Sequence, residues 1–205
     1  MRLRSSVVAL ILAAGESSRM GRDKALLQYQ GGPFLQIIMR NLGEAGVDRL
    51  VVVLGHHAAE IQQTTNLDRA QVVVNENYRL GQTSSLQAGL KALDLRATDG
   101  ILLCLVDHPA VSADVMRNIL LAHRESGAPV VVPVYKGQRG HPVFIGRALF
   151  EELLALKTTD GANSVIRKYY DSSCWLDVDQ EGVLLDIDQP EDYRRLVTVA
   201  QFGSV

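Results

Sequence analysis

The sequence predicts a doubly wound α/β domain with a mainly parallel sheet. Two observations carry this. Five apolar runs, Val7–Leu12, Arg49–Leu54, Gln71–Val74, Ile101–Val106 and Val130–Tyr135, alternate with stretches of helical periodicity. The first and most apolar of these runs is near-continuous, as strands buried on both faces are. In addition, the first run ends in Ala13, Ala14 and Gly15 and is followed by Arg19, Arg22 and Lys24. A strand, a small-residue turn and clustered cations form a phosphate site, where backbone N–H groups and positive charge converge on one anion. Ligands of such sheets bind beyond the carboxyl ends of the strands, so the loops after Leu12, Val74 and Val106 should meet at one site.

The connecting elements follow in order. Phe34, Ile37, Ile38 and Leu42 recur at helical spacing, which predicts a helix over 33–45 closed by Gly46. A helix is expected over 57–65, and another over 83–95 with Thr83 or Ser84 near its N-cap. Ser112 opens a helix that Gly127 ends. The last third is less regular. Strands are expected at 143–145, 175–178 and 183–187, with helices at 148–156 and 162–170. Pro190, at a first-turn position, starts a final helix. The 205 residues fit one domain, with a nucleotide-binding half over about 7–135 and an acceptor-side half over about 136–200 woven into the same sheet.

Composition narrows the function. A net charge of −2 argues against a general nucleic-acid binder, which usually carries a basic surplus. Cys104, in an apolar run, and Cys174, beside Trp175, read as buried thiols of a reducing compartment. Neither has Cys or His neighbours at zinc-ligand spacing. No stretch approaches the roughly 18 apolar residues of a membrane span. The short run after Met1–Ser6 does not read as a leader. The expectation is a cytoplasmic protein without membrane partners.

The turn after the first run is neither a Walker A loop nor a dinucleotide fingerprint. Gly21 is followed by Arg-Asp-Lys, and no Gly-x-Gly-x-x-Gly is present. Leu12-Ala13-Ala14-Gly15-Glu16-Ser17-Ser18-Arg19-Met20-Gly21-Arg22-Asp23-Lys24 instead resembles the signature of nucleotidyltransferases with a Rossmann-like, three-layer α/β/α, glycosyltransferase-A-like fold. It fits every fixed position of that signature. Arg22 falls at a variable one. The resemblance implies that Leu12, Ala13, Ala14, Gly15, Arg19 and Lys24 hold a nucleoside triphosphate. Arginine grips phosphate oxygens bidentately and lysine acts as a point charge.

Leu103-Cys104-Leu105-Val106-Asp107-His108-Pro109 places a lone carboxylate at the end of a buried run, which is costly unless it binds something. The same family carries an Asp-x-Pro here that binds magnesium. Val106 and His108 depart from its more usual Gly-Asp-Met-Pro. A late group, Asp186-Ile187-Asp188-Gln189-Pro190-Glu191-Asp192, resembles the family's Asp-Ile-Asp-Thr-Pro-Glu-Asp. Read as a strand, it points Asp186 and Asp188 the same way. Both are metal candidates with Asp107, Asp188 preferred, for Mg2+. Glu191 and Asp192 suit the helix N-terminus.

Asn77 to Leu86 resembles the family's base-binding loop, which implicates Asn77, Gly81, Ser84 and Ser85. Gly-His-Pro at Gly140-His141-Pro142 and the loop at Thr159-Asp160-Gly161-Ala162 resemble acceptor-side motifs, which implicates His141 and Asp160. His56, His57 and His123 read as structural. The resemblance spans nearly the whole chain. It is strongest to the molybdenum cofactor nucleotidyltransferases and, among these, to the cytidylyltransferases. Ala14 occupies a signature position where Ala goes with CTP and Gly with GTP. The implied reaction joins CTP and a phosphate-bearing acceptor, molybdopterin, into a dinucleotide cofactor that passes to a molybdoenzyme partner. Alternatives are transfer to a sugar phosphate or another small phosphate, and a non-catalytic nucleotide-binding accessory role.

Overall fold

The computed structural model describes residues 6–202. The stretch expected not to be a leader lies, but for Ser6, outside them. β1 (Val7–Ala13) is buried along its whole length. It pairs in parallel with β4 (Arg49–Leu54) on one side and β6 (Gly100–Leu105) on the other. The main sheet runs β10-β7-β9-β6-β1-β4-β5, with β5 (Ala70–Val74) and β10 (Cys174–Asp177) at its ends. β7 (Val130–Tyr135) is parallel to β10. β9 (Val143–Gly146) runs antiparallel between β6 and β7, and the short β8 (Gln138–Arg139) pairs with β7. The result is a mixed α/β fold on a mostly parallel sheet. β2 (Gln28–Tyr29) and β3 (Gly32–Pro33) form a separate two-stranded ribbon.

Alternation along β1 explains the two helical layers. Val7, Ala9, Ile11 and Ala13 face α1 (Phe34–Glu44), α2 (Ala58–Thr64) and α4 (Ala113–Ser126) through Phe34, Leu35, Ile38, Leu42, Ile61, Val115 and Ile119. Leu196 of α7 (Pro190–Phe202) joins the same core. Val8, Leu10 and Leu12 face α3 (Gln82–Lys91), α5 (Phe150–Ala155) and α6 (Asn163–Ile166) through Leu86, Leu90, Phe150, Leu153, Val165 and Ile166. Successive β-strand side chains point to opposite faces, so a continuous apolar run feeds both cores.

Most helix limits agree with the sequence signals. Ser112 accepts the Val115 N–H, and Gly127 closes α4 in the left-handed region at φ 66°. Helix α3 differs. It starts one residue early, with Gly81 (φ 97°) and not Thr83 or Ser84 at its N-cap, and ends at Lys91. The segment expected as one helix over 162–170 is α6 followed by a 3-10 stretch, Arg167–Ser172.

The strand expected at 183–187 is absent, which is a correction. A 3-10 turn over Glu181–Val183 is followed by irregular chain. Its backbone groups are satisfied elsewhere. Val183 C=O accepts the His141 N–H at 2.9 Å, and Ile187 N–H donates to Asp107 C=O at 3.0 Å. An apolar run threaded between two loops buries its side chains without a strand partner, and periodicity cannot tell the two cases apart. Glycines make that threading possible. A Cβ on Gly140 would lie 2.5 Å from Val183 O, and one on Gly182 2.6 Å from Ala110 O.

Candidate active site

A cleft of about 370 Å³ opens at the carboxyl ends of β1 and β6. The turn after β1, the loop after β5 and the loop after β6 all line it, as doubly wound topology requires. From the first turn come Leu12, Ala13, Ala14, Gly15, Arg19 and Lys24. The second contributes Tyr78, Gly81, Gln82 and Ser85, and the third Val106 and Asp107, with Asp188 from the segment before α7.

Local bonds shape the signature turn. Ser17 sits in the left-handed region at φ 49°, and its hydroxyl accepts the Lys24 N–H at 3.0 Å. Asp23 caps the following 3-10 turn by accepting the Ala25 N–H at 2.9 Å and lies 3.3 Å from His57 Nδ1. Burial pushes the Asp23 carboxyl up, against these two partners. Gly55, just after β4, has no room for a side chain: a Cβ there would lie 2.5 Å from Ala14 O. The Ala14 backbone is thereby held against a second strand end.

Lys24 links residues far apart in the chain. Its ammonium, 12% exposed, lies 2.5 Å from Asp188 Oδ1 and 3.4 Å from Asp107 Oδ2. These distances, 2.5 and 3.4 Å, put the two carboxylate oxygens within roughly 6 Å of each other across the shared ammonium; one Mg2+ bonded to both would need them within about 4.2 Å. Burial works to lower the Lys24 pKa. The bond to Asp188 and the charges of Asp107, Asp188 and Asp186 outweigh it, so the ammonium is held above the usual lysine value. The same bond holds the Asp188 carboxyl below its ordinary range. Arg19 is largely exposed, with Nη1 3.8 Å from Asp188 Oδ2.

A second grouping surrounds the other oxygen of Asp107. Ligand-capable atoms of Asp107, His108 and Asp186 lie within 4.8 Å of one another, and are a candidate metal cluster among the described residues. Asp107 Oδ1 is buried without a hydrogen-bond partner and His108 Nε2 lies 3.9 Å from it, so this donor set fits a cation. Partial burial, then the charges of Asp107 and Asp188, push the Asp186 carboxyl up to about 6. As a candidate ligand His108 is not legible in the sequence, where only its departure from the usual motif is visible. Its ring packs 5.1 Å from that of His141. Burial lowers both imidazole pKa values, His141 to about 4.

The remaining expected site residues are placed as follows. Ser84 and Ser85 are buried, and their hydroxyls accept from Asn75 Nδ2 at 3.0 Å each. Ser85 still borders the cleft, whereas Asn77 and Ser84 do not line it. Asn77 contributes its carbonyl, which accepts from Ser84 Oγ at 3.0 Å. His141 stands behind His108. Asp160 is exposed, and its carbonyl accepts from Thr83 Oγ1 at 2.5 Å, which seats the 158–160 loop on the start of α3. His57 pairs with Asp23, and His123 Nδ1 donates to Ala128 C=O at 3.0 Å beneath a stack on Phe144. Cys104 is buried, Cys174 is half-buried, and both are free.

Arg22 lines a separate depression with Leu26, His57, Glu60 and Pro190. Arg22→Ala is therefore expected to change kcat/KM for the triphosphate less than about threefold. Arg19→Ala, which removes a cleft-lining guanidinium, should lower it by roughly tenfold or more. Equal losses in steady-state kinetics would contradict this register.

The geometry is matched by likeness to known proteins. A family model described as a MobA-like NTP transferase domain matches residues 9–173. Nicotine blue oxidoreductase of Paenarthrobacter nicotinovorans is 30% identical over 206 residues, covering 93% of this chain and 96% of that protein. Molybdenum cofactor cytidylyltransferase of Escherichia coli strain K12 is 26% identical over 191 residues, covering 92% and 94%. The structure of Rv0371c from Mycobacterium tuberculosis H37Rv in complex with manganese superposes with a TM-score of 0.78. It is 31% identical and covers 97% of this chain and 99% of that one. The match begins inside β1 and takes in the signature turn, the loop after β6 and β9. The chain belongs to the MobA-like NTP transferase family and is a nucleotidyltransferase.

Proposed function

We propose that this protein transfers CMP from CTP to the terminal phosphate of molybdopterin and releases pyrophosphate. The observation that most supports this reading is the cleft in which the signature turn, with Arg19 and Lys24, faces the Asp107 carboxylate. The E. coli relative named for cytidylyl transfer to the molybdenum cofactor supports the choice of acceptor.

The residues divide the work. The backbone of Ala13 to Gly15 and the Arg19 guanidinium receive the triphosphate. Lys24 is held by two carboxylates and carries its positive charge to the same place. An oxygen of the acceptor phosphate forms the new bond to the α-phosphorus, and the bond from that phosphorus to the pyrophosphate oxygen breaks. The attacking group is already an anion, so the step needs positioning and charge compensation more than a general base. A divalent ion held by Asp107, with Asp186 or Asp188 beside it, offsets phosphate charge when bound. The sequence-based expectation for that ion is Mg2+. His141 and the Asp160 loop stand on the acceptor side, and the product passes to a molybdoenzyme.

Ala14 favours CTP, because its methyl, beside Gly55 in the lining of the cleft, narrows the approach of a purine. One methyl discriminates by about 1–3 kcal/mol. Calorimetric titration should show CTP binding roughly tenfold tighter than GTP, and tighter GTP binding overturns the assignment. Pyrophosphate release, measured for four nucleoside triphosphates against molybdopterin and several sugar phosphates, tests the reaction. Release with CTP and molybdopterin is expected. Release only with a sugar phosphate overturns the acceptor, and nucleotide binding without release with any acceptor overturns catalysis.

A further inference from the structure

The two oxygens of Asp107 serve different surroundings. Oδ2 faces the Lys24 ammonium at 3.4 Å, and that ammonium is bonded more closely to Asp188. Oδ1 faces His108, whose Nε2 lies at 3.9 Å, too far for a hydrogen bond. His108 is 8% exposed. Its Nδ1 and Asp107 Oδ1 are both buried without partners. Asp107 Oδ1 is thus left unpaired opposite the Nε2 edge of a buried imidazole, and a buried carboxylate oxygen is costly unless a further group bonds it. Asp186, held alongside by the Ile187 N–H bond to Asp107 C=O, brings another oxygen within 4.8 Å of both. Metal–ligand bonds of about 2.1 Å would draw these donors together with small side-chain shifts.

We infer that Asp107 Oδ1, a ring nitrogen of His108 and a carboxylate oxygen of Asp186 form a mixed nitrogen–oxygen site that binds a first-row transition ion such as Mn2+ in preference to Mg2+. Magnesium demands hard oxygen ligands and near-ideal octahedral geometry. Oxygen ligands suit magnesium and manganese alike, while imidazole suits zinc, copper, iron and nickel, so one nitrogen donor tips the choice towards the transition series, of which Mn2+ is the spectroscopic member. Two carboxylates outweigh the one Lys24 ammonium, which lies 3.4 Å from Asp107 Oδ2 and is bonded more closely to Asp188, so the site keeps a net negative charge. His141 packs against the His108 ring and positions it. The inference rests on the reading of Asp107 as a metal ligand in the transferase site, and extends it by naming the imidazole and the ion class.

The test uses the full chain and metal alone, without nucleotide, so its failure is separable from failure of the transferase reading, which pyrophosphate release reports. MnCl2 is titrated while the six-line electron paramagnetic resonance signal of free Mn2+ is followed. Nitrogen-14 electron spin echo modulation is recorded on the bound ion. One Mn2+ per chain is expected, with imidazole nitrogen coupling, and with an affinity at least about tenfold above that for competing Mg2+. His108→Asn should abolish the coupling and most of the preference for manganese. Asp188→Asn should leave the coupling in place. The wild-type spectrum decides even if a variant fails to fold: bound Mn2+ without nitrogen coupling, or no Mn2+ binding, overturns the proposal. Coupling kept in His108→Asn but lost in His141→Asn overturns the assignment of the ligand.

Discussion

Asp107→Asn is expected to remove nearly all pyrophosphate release while the chain stays folded. Its carboxylate is the one acid at the end of β6 that borders the cleft, and both of its oxygens have cation-directed surroundings. Charge compensation at a transferring phosphoryl group supplies several kcal/mol, and each 1.36 kcal/mol is a factor of ten in rate. The loss should therefore reach about a thousandfold in kcat. Stability should change by no more than about 1 kcal/mol. Lys24 loses a partner at 3.4 Å but keeps Asp188 at 2.5 Å, and Asp186 loses a like-charged neighbour. Steady-state kinetics and a thermal melt on the same sample measure both. Asp192→Asn is the matched control. Asp192 Oδ2 accepts the Asp188 and Gln189 N–H groups at 3.2 and 2.8 Å, and an amide oxygen can do the same. It should change turnover only a few-fold. A near-normal kcat in Asp107→Asn, or equal losses in the two variants, would remove Asp107 from the mechanism.

Lys24→Ala should lower kcat/KM for the triphosphate by roughly tenfold to over a hundredfold, the range for losing a charge-assisted bond. Structure adds a second consequence. Without the ammonium, Asp107 and Asp188 face each other across the cleft mouth with no cation between them. Their side chains are 23% and 46% exposed, so water screens them and the cost to stability should be about 1 kcal/mol, well short of that for a fully buried pair. Nucleotide binding by calorimetry and urea unfolding read the two effects separately. Lys24→Arg should restore charge but not geometry, because a planar fork does not replace a point charge between two carboxylates. If Lys24→Ala binds CTP as tightly as the unmodified chain, the phosphate grip lies elsewhere in the turn.

What the sequence by itself determined was local or periodic. The continuous apolar run Val7–Ala13, the small residues Ala13 to Gly15, the Ser112 and Gly127 helix signals and the cation spacing of the signature turn depend on neighbours a few residues away. Those are the distances over which backbone propensity and side-chain periodicity act. The meeting of the loops after β1, β5 and β6 followed from topology alone. Tertiary structure decided the rest. It inserted β9 antiparallel between β6 and β7, although 130–135 precedes it in the chain. It turned the apolar run at 183–187 into an irregular segment, because its backbone partners are His141 and Asp107 rather than a neighbouring strand. Alternation therefore could not say which of Asp186 and Asp188 faces what. Asp188 came to hold Lys24, 164 residues away in the chain, and Asp186 came to stand with His108. The role proposed for His108 has the same origin: a lone histidine carries no periodic signal, and only its burial opposite an unpaired carboxylate oxygen singles it out.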